Sequence, residues 1–453
     1  MGLAALAVMS ITSCKDQPDA YETTGGKPSI DFIRPVSVTA KDSILHEATL
    51  GNTIVLIGDN LRSIVNMRFN EHEAVLNTSY ITDHTLIVTI PRDVPQQVTD
   101  KIYMATADGD TVTYDFHCVI PGPQVASMSN EWAKAGESVT LLGSYFLDYE
   151  ASPLTIKFGE EYTLPRSAIK TIDENEIVFT MPADVPHEQL IVSSQFGKTE
   201  CPIYYCDTRG MLFDFDTPWK EGGEVLGNHG WHDRPIIEDE SSLSGKYMQL
   251  GDGDAKVPNQ DLGWWDDSHF SFEYWPGDWG NPEDFAKHPR LFDIADFSDP
   301  ENMSLKFEIM IPADNAWSGS PIQIFFGGTD LISNGDNANK AYDIYGNLLA
   351  GCGNGYFHVQ GQLSRALYMP WSNEDDLLFD TNGQWQTVTI PFSDFIYDYD
   401  GNKITSSLTN PSHFASLTMF MITGAYNDKT AIPAGVNNYP IIKIDNIRAV
   451  PNK

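Results

Sequence analysis

Gly51-Asn-Thr-Ile54-Val-Leu56-Ile-Gly58-Asp-Asn60-Leu61 returns eighty-five residues later as Gly136-Glu-Ser-Val139-Thr-Leu141-Leu-Gly143-Ser-Tyr145-Phe146. Two more pairings follow in the same order. Val65-Asn-Met67-Arg-Phe69 matches Leu154-Thr-Ile156-Lys-Phe158, and Ile87-Val-Thr-Ile90-Pro91-Arg-Asp-Val-Pro95 matches Ile177-Val-Phe-Thr-Met181-Pro182-Ala-Asp-Val-Pro186. The offset grows to ninety-one, which puts a loop insertion in the second copy around Asp148 to Pro153. Short alternating apolar runs broken by Gly, Asn, Asp and Pro predict antiparallel strands, so each copy reads as one small immunoglobulin-like sandwich. The glycines serve turns and the aliphatic residues fill a core, so the motif carries no chemistry. With Trp132 as the one tryptophan of the stretch, a spacer is the expected role.

From Thr208 onward the pattern changes. Strand-like runs appear at Leu305–Ile311, Pro321–Phe326, Gln384–Ile390, Ser416–Ile422 and Ile441–Ile447, separated by long loops, and no segment keeps a 3.6-residue period. The chain is therefore expected to be all-β, with a single large sandwich at its C-terminal end. The expected boundaries are a signal peptide over 1–13, a tether over 14–27, the two modules over 28–120 and 121–207, and the large domain over 208–453.

Nine of the ten tryptophans lie in that last part. Several sit on turn-forming sequence, where core packing is least expected. Trp231 stands in Asn228-His-Gly-Trp231-His-Asp, and Trp264 and Trp265 stand between Gly263 and Asp266-Asp267. Flat π-faces on loops, rimmed by amides and carboxylates, suit the stacking of pyranose rings and the bonding of their hydroxyls. Trp231, Trp264 and Trp265 are the first candidates for a glycan platform, with Trp279 and Trp371 as loop-borne reserves. Adjacent Trp264 and Trp265 share a surface only on a loop or bulge. Trp219, Trp275, Trp317 and Trp385 read as core. Asn228, His229, His232, Asp233, Asp261, Asp266 and Asp267 flank the platform, and such residues also fill ordinary turns.

Sixty-three acidic against twenty-eight basic residues give a net charge of −35, which repels phosphate backbones and makes nucleic acid a poor partner. Neutral polysaccharide is compatible with that charge. Cys118, Cys201, Cys206 and Cys352 make no metal-site spacing, and a chain of this length folds without a disulfide. No cofactor is implied. Asp252-Gly-Asp254 and Asp293-Ile-Ala-Asp296 follow no EF-hand pattern, so a calcium ion at either would be structural.

Both repeats resemble the IPT/TIG family through Gly-x-x-(Ile/Val)-x-Leu-x-Gly and the downstream Pro-x-Asp-Val-Pro. Met1–Cys14 resembles a bacterial lipoprotein signal, which implies cleavage before Cys14 and lipidation of that residue. Lys15-Asp16-Gln-Pro-Asp19 is similar to the surface-export signal of Bacteroidetes lipoproteins, so the expected location is the outer face of the outer membrane. Trp385-Gln-Thr-Val-Thr-Ile390-Pro391-Phe-Ser-Asp-Phe395 and Lys443-Ile-Asp445-Asn446-Ile447-Arg resemble the last strands of jelly-roll carbohydrate-binding modules. Together with Phe213-Asp-Phe-Asp-Thr-Pro-Trp219 they make the chain resemble the surface glycan-binding protein B family of polysaccharide utilisation loci. That resemblance implies capture of a β-glucan, xyloglucan first and mixed-linkage or β-1,3-glucan next. It also implies hand-over to a TonB-dependent transporter and its associated glycan-binding lipoprotein.

Two other classes compete with this reading. A jelly-roll glycoside hydrolase needs two carboxylates across a cleft, and Glu238-Asp239-Glu240 lacks the alternation that aims such groups at one face. A structural adhesin fits the sandwiches but leaves the loop tryptophans unexplained.

Overall fold

The computed structural model describes residues 21–40, 42–230, 232–258, 268–278, 285–327, 364–398, 401–404, 414–421 and 437–452. Strands make up its regular structure, and the helical turns among the described residues are 3-10 turns of three or four residues. The chain divides into two compact units, residues 1–121 and 122–453.

The first unit holds one immunoglobulin-like sandwich. Thr53–Asp59 runs between Ser29–Pro35 and Thr85–Thr89 in one sheet. The facing sheet is ordered His72–Glu73, Ile64–Phe69, Lys101–Thr106 and Thr111–Asp115. Glu47–Thr49 pairs in parallel with His117–Val119. Ile54, Leu56, Met67, Phe69, Leu86, Val88, Ile102 and Met104 alternate inward from both sheets to make the core.

The second unit starts with the same sandwich built again. Its sheets are Gln124–Met128, Ser138–Ser144, Glu176–Thr180 and Ile169–Ile172, facing Tyr162–Thr163, Thr155–Phe158, Gln189–Ser194 and Gly197–Tyr204. The repeated glycine has a physical reason in both copies. A Cβ at Gly58 would stand 1.9 Å from the Ser29 carbonyl oxygen, and one at Gly143 would stand 2.0 Å from that of Gln124. Each glycine faces a bulge in its neighbouring strand, between Ile30 and Phe32 and between Val125 and Ser127. Two residues on, Asn60 and Tyr145 both take the left-handed conformation, with φ of 55° and 59°.

The C-terminal domain is a β-sandwich of two larger sheets. One is ordered Ile236–Ile237, Tyr247–Leu250, Ile442–Pro451, Met303–Met310 and Gln386–Pro391, with Met211–Phe213 also paired to Ile442–Pro451. The other is ordered Ser271–Tyr274, Ser416–Met421, Ile322–Gly327 and Arg365–Tyr368. Between them lies an aromatic core in which Phe297, Phe326, Phe392 and Phe414 pack ring on ring.

Met303–Met310 is buried along its whole length. Leu305, Phe307 and Ile309 point into the sandwich core, while Lys306 and Glu308, on the opposite face, are covered by the second immunoglobulin-like module. The Arg448 guanidinium bonds both Glu308 oxygens at 2.8 and 3.0 Å and Glu131 of that module at 2.8 Å, and Lys306 reaches the other Glu131 oxygen. Two carboxylates and two cations neutralise one another in the interior, which is the condition for burying them. The junction is tied further by Thr387 N–H to the Ser129 carbonyl (2.9 Å), Glu131 N–H to Thr387 Oγ1 (2.8 Å) and Lys134 Nζ to the Ser242 carbonyl (2.6 Å). The connecting residues are pinned as well, because Cys206 N–H donates to the Glu131 carbonyl and Asp207 holds Arg209 through two side-chain bonds.

Candidate functional site

The four-stranded sheet of the C-terminal domain has a second, polar face. Phe272, Tyr274, Ile322, Ile324, Leu417 and Met419 point inward. The alternate positions, by pairing register, make two rows: Ser271, Phe420, Gln323 and Leu367, then Glu273, Thr418, Phe325 and Arg365. Arg365 donates to Gln323 Oε1 at 2.6 Å and stacks over the Phe325 ring at 4.2 Å. Carboxylate, amide, guanidinium and phenyl groups thus share one sheet face, but Ser271, Glu273, Gln323, Phe325, Arg365, Thr418 and Phe420 are all buried, so this face is a packed polar layer and not an open surface.

At the edge of this sheet, Ser271–Tyr274 holds both flanks of Trp231 and, through Arg234, the residue that follows the Trp264–Trp265 segment. Asn228 Oδ1 accepts the Glu273 N–H at 2.8 Å, the His229 N–H donates to the Glu273 carbonyl at 2.7 Å, and His229 Nδ1 meets the Trp275 carbonyl at 2.6 Å. Gly230 lies so close that a Cβ there would stand 2.2 Å from Glu273 Oε2, so no side chain fits immediately before Trp231. On the other side of Trp231, buried Arg234 donates to the Ser271 carbonyl and, at 2.6 Å, to the Ser268 carbonyl. Ser268 is the residue that follows the segment carrying Trp264 and Trp265. The Gly277 N–H donates to the His288 carbonyl at 2.8 Å, closing the base of the segment that carries Trp279.

The imidazoles of His229 and His288 stack with centroids 3.6 Å apart and planes 4° from parallel. Burial lowers both below the ordinary histidine value, and that of His288, to which the neighbouring His229 adds, falls to about 4. Neutral rings stack in this way; a second proton would put like charges face to face.

Trp231, Trp264, Trp265 and Trp279 themselves, with Asp261, Asp266, Asp267, Cys14 and Cys352, lie outside the described residues. Trp371 corrects its expected role. It occupies the 3-10 turn Pro370–Asn373, is 1% exposed and belongs to the sandwich core, so its faces are already taken by protein. Trp275, Trp317 and Trp385 are buried, while Trp219 is half-buried and lines a cavity. Arg234 went unnoticed in the sequence because a single arginine in Asp-Arg-Pro gives no periodic signal.

Cys118, Cys201 and Cys206 are free thiols, pushed by burial up to about 12, 12 and 11. Asp252 Oδ1 caps the Asp254 and Ala255 N–H groups, Asp293 pairs with Arg290, and Asp296 caps Ser298. Among the described residues no group of three or more His, Cys, Asp or Glu converges as metal ligands. Burial pushes Glu308 up to about 7, with Glu131 adding to it, and pushes Asp445 up to about 8. A raised carboxyl is what a general acid needs, yet both side chains are sealed in the interior on Arg448 and on Ser244.

A family model described as the surface glycan-binding protein B xyloglucan binding domain matches residues 205–451, more than half of the chain. The chain is similar to the crystal structure of surface glycan-binding protein PbSGBP-B from Prevotella bryantii, at 54% identity over 95% of this chain and 100% of that one, with a TM-score of 0.79. It is also similar to an IPT/TIG domain-containing protein of Bacteroides ovatus, at 26% identity over 206 residues and 42% of this chain. The match spans 41% of that relative's length. An SGBP-B from a complex xyloglucan utilization locus in Bacteroides uniformis aligns over 94% of this chain and 100% of that one, at 13% identity and a TM-score of 0.40.

Proposed function

The chain belongs to the surface glycan-binding protein B family, and from that premise we propose that it captures a β-glucan, xyloglucan first, without cleaving it. The supporting observation is the edge strand Ser271–Tyr274, to which Asn228, His229 and Arg234 tie both flanks of Trp231, Arg234 also holding the Ser268 carbonyl beside the Trp264–Trp265 segment. Stacking on a few such rings contributes on the order of 1–2 kcal/mol each, which gives an affinity between roughly micromolar and millimolar. Weak, reversible capture suits a relay in which a lipid-anchored receptor at the outer face of the outer membrane passes glycan to a TonB-dependent transporter and its associated lipoprotein. Non-catalytic capture is favoured because the two carboxyls raised by burial have no access to a glycosidic bond.

The test is titration calorimetry of the full chain against xyloglucan, mixed-linkage glucan, laminarin, mannan and starch, with reducing-sugar release followed in the same samples. Binding to a β-glucan without new reducing ends is the expected result. Trp264→Ala or Trp265→Ala is expected to weaken it at least about tenfold while thermal stability stays nearly unchanged. Reducing-sugar release would make the protein a hydrolase, and silence toward every β-glucan would remove the proposed ligand class.

A further inference from the structure

Within the second unit, a cavity of about 460 Å³ opens where the second immunoglobulin-like module meets the C-terminal domain. Its volume falls in the range of about 300–1,000 Å³ usual for small-molecule sites. Trp132 enters it from the module and Trp219 from the domain, and Asp214, Asp216, Ser244 and Asn446 supply its polar lining. Trp132 packs on the cluster of Leu243, Tyr247, Met310 and Trp385, while its ring remains half-buried.

The polar groups are held in place by the fold and present acceptors. Asp214 Oδ1 is committed to the N–H groups of Asp216 and Thr217 in a tight turn, and Asp216 Oδ2 accepts the Lys246 N–H. Asn446 gives its amide hydrogens to Ser244 Oγ at 3.0 Å, and Ser244 donates onward to Asp445. Asp214 Oδ2 and Asp216 Oδ1, on half-buried residues, have no hydrogen-bond partner among the described residues, while Asn446 is buried in the cavity wall. Two indole rings and two open carboxylate oxygens therefore share one hollow.

That chemistry selects a ligand with apolar faces and many hydroxyl donors. An anion would meet two carboxylates. A cation would seek the Trp219 face, where the Lys220 ammonium already sits 4.2 Å from the ring centroid. We propose that this junction cavity is a second carbohydrate subsite, taking one or two neutral pyranose units between Trp132 and Trp219 with their hydroxyls on the carboxylates of Asp214 and Asp216. The inference rests on the glycan-binding reading above and places a contact on a module otherwise expected to be a spacer.

The experiment labels the full chain with 5-fluorotryptophan, assigns the resonances by single Trp→Phe replacements, and titrates cellotetraose while watching each fluorine signal. The Trp132 and Trp219 resonances are expected to shift saturably. They should do so equally in a Trp264→Ala/Trp265→Ala double variant, and at least about fivefold more weakly when the exposed Thr217 at the rim is replaced by arginine. If Trp264 and Trp265 respond while Trp132 and Trp219 stay still, the cavity takes no sugar and the main reading survives. If Trp132 and Trp219 respond only when Trp264 and Trp265 are intact, they report a remote change, which overturns the subsite. Saturable shifts with choline but not with cellotetraose would make it a cation site instead. No shift of any tryptophan with cellotetraose or xyloglucan oligosaccharide would sink the glycan reading together with the subsite.

Discussion

The two immunoglobulin-like modules share a motif, a strand order and even the same glycine clash, yet one closes on itself and the other does not. In the first, the positions eighty-five residues before Glu131 and Trp132 are His46 and Glu47, both exposed. In the second, Glu131 is buried against Lys306 and Arg448, and Trp132 packs on the C-terminal domain. Residues 1–121 form one compact unit, whereas the second module and the glycan-binding domain form another together. The same sandwich thus stands as a unit by itself in one copy and shares a buried polar junction with the C-terminal domain in the other, with Glu131 and Trp132 at its centre.

The largest expected effect breaks that junction. Arg448→Met leaves Glu131 and Glu308 facing each other in the interior with Lys306 alone to balance them, and should cost about 3–5 kcal/mol in the unit 122–453. Chemical denaturation of the full chain is the check, and the transition of residues 1–121 should not move. Gly58→Ala and Gly143→Ala sharpen the comparison, because the same overpacking, worth about 1–3 kcal/mol or more, is placed in either module. The first should lower only the transition of unit 1–121. The second should lower that of unit 122–453, since its module unfolds with the domain.

Asp445→Asn probes the buried acids behind the junction. The Asp445 carboxyl is raised to about 8, so its contribution to stability is whole below about pH 4 and is lost as pH climbs through about 8. The asparagine variant should therefore unfold with a flatter dependence over that window and be more stable than the parent at pH 9, by more than about 1 kcal/mol. A parallel loss of stability at pH 6 and pH 9 would show that packing, not ionisation, sets the effect. Lys134→Ala removes an exposed bond to the Ser242 carbonyl and is expected to cost less than about 0.5 kcal/mol.

The repeats were readable because their glycines and alternating aliphatics answer directly to strand geometry. Met303–Met310, Ile322–Gly327, Gln386–Pro391, Ser416–Met421 and Ile442–Pro451 also fall on the expected runs. Met211–Phe213, Ile236–Ile237 and Ser271–Tyr274 did not stand out, being too short for a period to show. The burial of Lys306, Glu308 and Arg448 was not legible, because a single sequence does not reveal that a second domain covers that face. The same blindness hid the cavity, since Trp132 and Trp219 are eighty-seven residues apart and meet only through the junction. For Trp371, turn-forming neighbours suggested exposure, and the 3-10 turn instead rolls the ring into the core.

The most direct test of the central claim, that the second module and the glycan-binding domain act as one receptor body, is scanning calorimetry of the full chain with and without saturating xyloglucan. Two transitions are expected, of which only the one belonging to residues 122–453 rises with ligand, by the linkage of binding to the folded state. Three separate transitions, with the second module melting independently of the ligand, would contradict it.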